Sequence, residues 1–155
     1  MVKAINVGDL KFESVTSQKN VKDVYDYNVE AFSDSPDFKW TLDDIKKEMS
    51  DGWQLFSVKL SDEIIAAAFV KKEDSKLLCK NTSIKMQHSG SGYSHRIMDF
   101  FEEAAKEFNV DEIVHYCSID NFRQYSLNES HGYHKTPRKL GLNGHTTEWV
   151  KQVSK

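Results

Sequence analysis

The chain alternates between stretches with the period of a strand and stretches with the period of a helix. Residues 10 to 16 set Leu10, Phe12 and Ser14 against Lys11, Glu13 and Val15, which predicts a short first strand. Val21, Val24, Tyr25, Asn28 and Phe32 then recur at helical spacing until Ser33-Asp34-Ser35-Pro36-Asp37 breaks the pattern. Thr41 with Asp44 three residues on reads as a capping box, and Leu42, Ile45 and Met49 continue a second helix that Gly52 closes. Phe56, Val58 and Leu60 share one face of a strand from Trp53 to Leu60. A nearly continuous apolar run from Glu63 to Val70 follows Ser61-Asp62, so the pair predicts a hairpin with a buried second strand.

Lys76 to Met86 reads as a further strand, with Leu78, Ile84 and Met86 in one parity. After His88-Ser89-Gly90-Ser91-Gly92 comes the longest helix, with Tyr93, Ile97, Phe101, Ala104, Ala105 and Phe108 on one face and a Glu102–Lys106 pair outside. Ile113 to Ile119 predicts a strand and Phe122 to His131 a helix stopped by Gly132. Tyr133–Lys135 and Thr146–Val153 predict two closing strands. The order is β-α-α-β-β-β-α-β-α-β-β, a mixed α/β (α+β-like) layout in one domain spanning residues 1–155.

Composition narrows the class. With 155 residues, 39% apolar and 29% charged, the chain fits one globular unit able to bury a core without staples, so Cys79 and Cys117 read as reduced core residues. Nothing in residues 1 to 10 has signal-peptide length, and no run approaches the roughly 18 apolar residues that span a bilayer, so a cytoplasmic protein without membrane attachment is expected. A net charge of −3 gives no general attraction for nucleic acid, which is expected to be no partner. The charges are unevenly spread: Asp23 to Asp51 holds nine acids against three lysines, whereas Lys76 to Met98 holds Lys76, Lys80, Lys85 and Arg96 and no acid. Such a chain is suited to hold an anion in its middle and to present its acidic part to a cation.

The glycine-containing loop joins a strand to a helix N-terminus, where unpartnered backbone N–H groups accept a phosphate and glycines allow its close approach. A flexible connection would use the same residues. Neither a full dinucleotide glycine pattern nor a Gly-Lys-Ser/Thr loop is present. The run from Ile84 to Met98, Ile-Lys-Met-Gln-His-Ser-Gly-Ser-Gly-Tyr-Ser-His-Arg-Ile-Met, resembles the acetyl-CoA loop of the GNAT N-acetyltransferases, Val-x-Pro-x-x-Arg/Gln-Gly-x-Gly-x-Gly/Ala-x-x-Leu-Leu. A register starting its Arg/Gln core at Gln87 would put His95 and Arg96 on two buried leucines. Starting at Ser89 instead puts Gly90 and Gly92 on glycines and Ile97-Met98 on the leucine pair, and burial selects this register. In it, Ser89 and Ser94 replace the usual Arg/Gln and final Gly/Ala.

Asn121 to Tyr133 is similar to the family's second signature, Asn-x-x-Ala-x-x-Leu-Tyr-x-x-x-Gly-Phe, through Asn121, Leu127, Gly132 and Tyr133. The resemblance implies a GNAT-type central mixed sheet of about six to seven strands flanked by about four helices. It further implies acetyl-CoA as cosubstrate, no metal, and direct attack by an amine acceptor, a small molecule or a protein amine, to which the acidic Asp23–Asp51 stretch adds the expectation of cationic character. It assigns the acyl-CoA contacts to Ile84, Lys85, Met86, Ser89, Gly90, Ser91, Gly92, Tyr93, Ser94 and Asn121.

Asn128 stands where the family has the tyrosine that protonates the departing thiolate. Tyr125, one turn earlier, is the substitute acid if it is not a packing aromatic. His115 and Asp120 are the titratable groups near the next strand end available as base, His115 reading equally as a satisfied strand histidine. His131 and His134 have metal-ligand spacing but lack a third ligand in the sequence. Lys135, Arg138 and Lys139 either line a phosphate or form a solvated hairpin tip. The competing reading of the whole is a non-catalytic CoA-binding or partner-binding domain on the same fold.

Overall fold

A computed structural model of the chain describes residues 4–28, 41–82, 84, 88, 90 and 92–153. Its strands are β1 (Ala4–Val7), β2 (Leu10–Ser14), β3 (Gln54–Leu60), β4 (Glu63–Glu73), β5 (Lys76–Asn81), β6 (Glu112–Ser118), β7 (His134–Leu140) and β8 (Thr146–Gln152). The helices are α1 (Gln18–Asn28), α2 (Leu42–Ser50), α3 (Tyr93–Glu107) and α4 (Phe122–Ser130). All eight strands form one sheet in the order β1-β2-β3-β4-β5-β6-β8-β7. This is more strands than the six to seven expected.

The expected order of elements holds with one addition at the start. β1 pairs antiparallel with β2 from Ala4↔Glu13 to Val7↔Leu10, forming a hairpin at Gly8 that the sequence pattern does not announce. Phe32 and the breaker at Ser33–Asp37 lie outside the described residues. Thr41 caps α2 as expected: its Oγ accepts the Asp44 N–H at 3.1 Å and its hydroxyl donates to the Asp44 carboxylate at 2.8 Å.

β4 explains why its sequence is apolar without alternation. Ala66, Ala68 and Val70 pack under α3, while Ala67 and Phe69 pack under α1 and α2, so both faces of the strand are covered. On the α3 side Phe100 stacks on Phe12 with ring centroids 4.2 Å apart and meets Phe56 edge-on at 5.0 Å. On the other side Val21, Val24 and Ile45 close over Leu55 and Phe69. Fully burying side chains of this size contributes roughly 1.5–3 kcal/mol each, so the two cores fix both layers on the sheet.

Three expectations need correction. β5 ends at Asn81 rather than Met86, because Thr82 leaves the ladder and bonds Ala67 with both its N–H (3.0 Å) and its Oγ (2.9 Å). β7 runs on to Leu140 instead of stopping at Lys135, across a register shift between Lys135 and Lys139 that Pro137 occupies. Glu102 does not pair with Lys106: Lys151 of β8 takes Glu102 at 2.7 Å, leaving Lys106 to Glu103 at 3.2 Å.

Candidate active site

β5 and β6 are the one parallel pair of the sheet among the described residues, joined by the α3 crossover. Their pairing runs from Lys76↔Glu112 to Cys79↔His115 and stops there. Beyond that point β5 stays with β4 as far as Asn81↔Ala68, and β6 stays with β8 as far as Ser118↔Thr146. Each strand is thus held by its outer neighbour beyond that point, while the parallel pairing between the two inner edges stops. Such edges offer N–H and C=O groups to an extended amide-bearing ligand.

A polar chain crosses the point where this pairing stops. His115 is buried and its Nε2–H donates to Asn81 Oδ1 at 2.8 Å, while its Nδ1 accepts from Asn128 Nδ2 at 3.4 Å. Asn128 Oδ1 in turn accepts from Gln124 Nε2 at 2.8 Å. Both imidazole nitrogens are therefore committed in the neutral Nε2–H tautomer, and burial pushes the pKa from 6.5 down to about 3. His115 accordingly has the surroundings of a satisfied strand histidine. Asn128 is wholly buried at the position of the family's tyrosine, where it serves this chain of hydrogen bonds.

At the other end of the crossover, Gly92 is the N-cap of α3 and, as a glycine, brings no side chain to cap that end. Gly90 and Gly92 both have φ of 81°, a left-handed backbone that other residues adopt at a cost of roughly 1–2 kcal/mol. A Cβ on either would meet nothing within 4 Å among the described residues, so the constraint on these glycines there is conformational. Ile97 and Met98 are buried and His95 and Arg96 exposed, the burial that the chosen register requires. Tyr93 and Ile84 pack against the α3-side core, and Ser94 is exposed. Lys85, Met86, Ser89 and Ser91 lie outside the described residues.

On α4, Asn121 is the N-cap and its Oδ1 accepts the Gln124 N–H at 3.2 Å. Tyr125 is half-buried, packs edge-on against Phe122 and Trp149, and donates its hydroxyl to Ile119 O at 3.1 Å, just past the end of β6. Its phenol is tied to that backbone carbonyl. Tyr133, at the family's aromatic position, is buried, and its hydroxyl has no partner among the described residues; burial pushes its pKa up.

The opposite face of the sheet carries the acidic helices. Part of their charge is answered internally: Lys22 pairs with Asp26 at 3.0 Å, and Lys80 of β5 pairs with Glu48 at 2.9 Å beneath the Trp53 ring. Desolvation lowers the Lys80 pKa against the pull of Glu48. Asp23, Asp43 and Asp51 make no ion pair among the described residues, and Glu30, Asp34 and Asp37 lie outside them. Arg138 binds Glu148 at 3.0 Å, an attachment between β7 and β8. The sequence reading misses Asn81, Thr82 and Gln124, since an amide or hydroxyl at a strand end carries no signal until the fold brings its partner near.

No family model matches the chain, and no curated protein matches it. Solved structures do. The ribosomal-protein-S18-alanine N-acetyltransferase of Escherichia coli is similar with a TM-score of 0.76 at 12% identity, over 94% of this chain and 95% of that one. Mutant forms of the spermidine/spermine N-acetyltransferase SpeG of Vibrio cholerae give 0.71 at 12%, over 94% of each chain. A GNAT family acetyltransferase of Elizabethkingia anophelis with acetyl-CoA bound gives 0.70 at 15%, over 94% of this chain and 99% of that one. Among the described residues no helix is long and apolar enough to cross a membrane.

Proposed function

From the GNAT fold, which this chain shares with those enzymes, we propose that it transfers an acetyl group from acetyl-CoA to an amine by direct attack in a ternary complex. The observation that carries the proposal is the end of β5–β6 pairing after Cys79↔His115, combined with a helix N-terminus whose N-cap is the second of two left-handed glycines. An extended pantetheine amide chain suits the first feature and a pyrophosphate the second. Acetyl-CoA supplies the acyl carbon on a thiol leaving group whose pKa, near ~8.5, makes departure easy.

The chain's own residues do the rest. The turn around Gly90–Ser94 holds the anion, with Ile84, Lys85, Met86, Ser89, Ser91, Tyr93 and Asn121 as the remaining cofactor contacts. Backbone N–H groups at the strand edges beyond that pairing receive the negative charge that develops on the thioester oxygen. As the C–N bond forms and the C–S bond breaks, the amine gives up a proton to solvent. The thiolate takes a proton either from Tyr125, after its hydroxyl swings from Ile119 O, or from water. Positioning, rather than a strong acid or base, supplies most of the rate. The acidic α1–α2 face favours a cationic acceptor, in keeping with similar structures whose enzymes are named for spermidine/spermine and for a ribosomal-protein alanine.

Incubating the protein with acetyl-CoA and a panel of polyamines and peptide N-termini, with thiol release as readout, tests the reading. Acceptor-dependent release is expected. CoA binding without release from any amine would instead make the chain a CoA-binding domain, and no CoA binding at all would overturn both.

A further inference from the structure

The sequence pairs His131 with His134 and supplies no third ligand, but the fold gives His131 different company. Asp99 and Glu102, one turn apart on α3, face it from across the α3–α4 junction, and one ligating atom of each of the three lies within 4.8 Å of the others. His131 Nδ1 is 3.9 Å from Asp99 Oδ1. Two ligands each about 2.1 Å from one ion stand at most about 4.2 Å apart, so small side-chain rotations close this cluster on a metal.

The second ring nitrogen points the same way. A metal-bound imidazole ordinarily donates its other N–H to a fixed acceptor, which sets the tautomer. His131 Nε2 lies 2.9 Å from His95 Nδ1 in the first turn of α3, and in the tautomer whose Nε2–H donates there the Nδ1 lone pair is left toward the carboxylates. The two carboxylates are meanwhile balanced by cations on one oxygen each: Lys151 at 2.7 Å from Glu102 Oε1 and Arg96 at 3.9 Å from Asp99 Oδ2. A cleft lined by Asn6 and Val7 of β1 and by Glu103 and Lys106 of α3 borders the two carboxylates.

We propose that Asp99, Glu102 and His131 bind a divalent first-row transition metal, with His95 as the outer partner of His131. One imidazole with two carboxylates suits zinc, cobalt or manganese better than magnesium or calcium, whose sites are built from oxygen alone. The ion ties the helix that starts at the glycine turn to the end of the helix that starts at Asn121. This assignment stands apart from acyl transfer and does not depend on it.

Calorimetric titration of the full chain, free of affinity-tag histidines, with Zn(II) and separately with Mg(II) is the test, with thermal unfolding under the same additions. One Zn(II) per chain, a raised Tm and no comparable response to Mg(II) are expected. His131→Gln is expected to weaken Zn(II) by at least about tenfold, and His95→Ala also, while His134→Ala leaves it unchanged. Asp99→Asn gives a second, independent loss should His131→Gln fold poorly. No stoichiometric Zn(II) binding, equal binding of Mg(II), or Zn(II) affinity undiminished in His131→Gln or Asp99→Asn would overturn the proposal.

Discussion

An imidazole enclosed by two amides and two aromatic rings changes how stability responds to acid. His115 packs against Phe101 and Tyr133 with Asn81 and Asn128 on its nitrogens, and its pKa lies at about 3 against an ordinary 6.5. The unfolded chain takes a proton here as the pH falls below the ordinary value, and the native state does not. The stabilising contribution is therefore complete above that value and is lost on going down toward the native one, at up to about 1.4 kcal/mol per pH unit. In denaturant titrations between about pH 6 and pH 4, His115→Gln should lose stability less steeply than the parent by about that slope. Parallel slopes would mean that His115 titrates alike in both states. The Tyr125 hydroxyl permits a cleaner separation of structure from chemistry. Tyr125→Phe removes one bond to Ile119 O, a cost of about 1 kcal/mol, and keeps the ring between Phe122 and Trp149. If the phenol protonates the thiolate, turnover falls by roughly a hundredfold or more with CoA binding intact. Undiminished turnover assigns the proton to water.

For α3 the decisive residues precede its first turn. Because Gly92 sits at φ 81° and a Cβ there meets none of the described residues, Gly92→Ala should cost about 1–2 kcal/mol in unfolding experiments through backbone strain alone. Gly92→Glu adds an anion in front of the first amides of α3 and should abolish CoA binding in a protein that still folds, as read by circular dichroism and calorimetry. CoA affinity unchanged in that variant would move the pyrophosphate elsewhere. This turn was legible in the sequence because its glycines are demanded locally, and α2 was legible through the Thr41–Asp44 cap. β1 was not: Ala4–Val7 is only four residues, and its two inward positions, Ile5 and Val7, are half-buried, too short a run to stand out as a pattern. β5 was overextended for the opposite reason. Leu77 and Cys79 are buried while Leu78 is half-buried on the other side, so parity along it did not reveal where pairing stops. The Asn81–His115–Asn128–Gln124 chain spans three elements, and a link between strand ends and a helix has no signature in spacing.

Across the whole molecule, the sheet separates an acidic helical face from a face with the glycine turn. With Lys22–Asp26 and Lys80–Glu48 satisfied internally, the attraction for a cation rests on the remaining acids, a long-range effect that salt screens within about 10 Å at 0.1 M. Catalytic efficiency toward polyamines should therefore fall as ionic strength rises, whereas CoA-independent properties such as Tm should move far less. A flat salt profile, or a preference for uncharged amines, would remove steering by this face. The sheet also has to end somewhere, and its two rims are made differently. β1 offers four residues of edge, and β7 offers an exposed edge on which Lys135, Pro137, Arg138 and Lys139 fall around a break in register. A proline cannot donate to an incoming strand and neighbouring lysines resist being covered. Both rims disfavour pairing with another copy, so crowding many copies together should not zip them into ribbons through the sheet's outermost described strands.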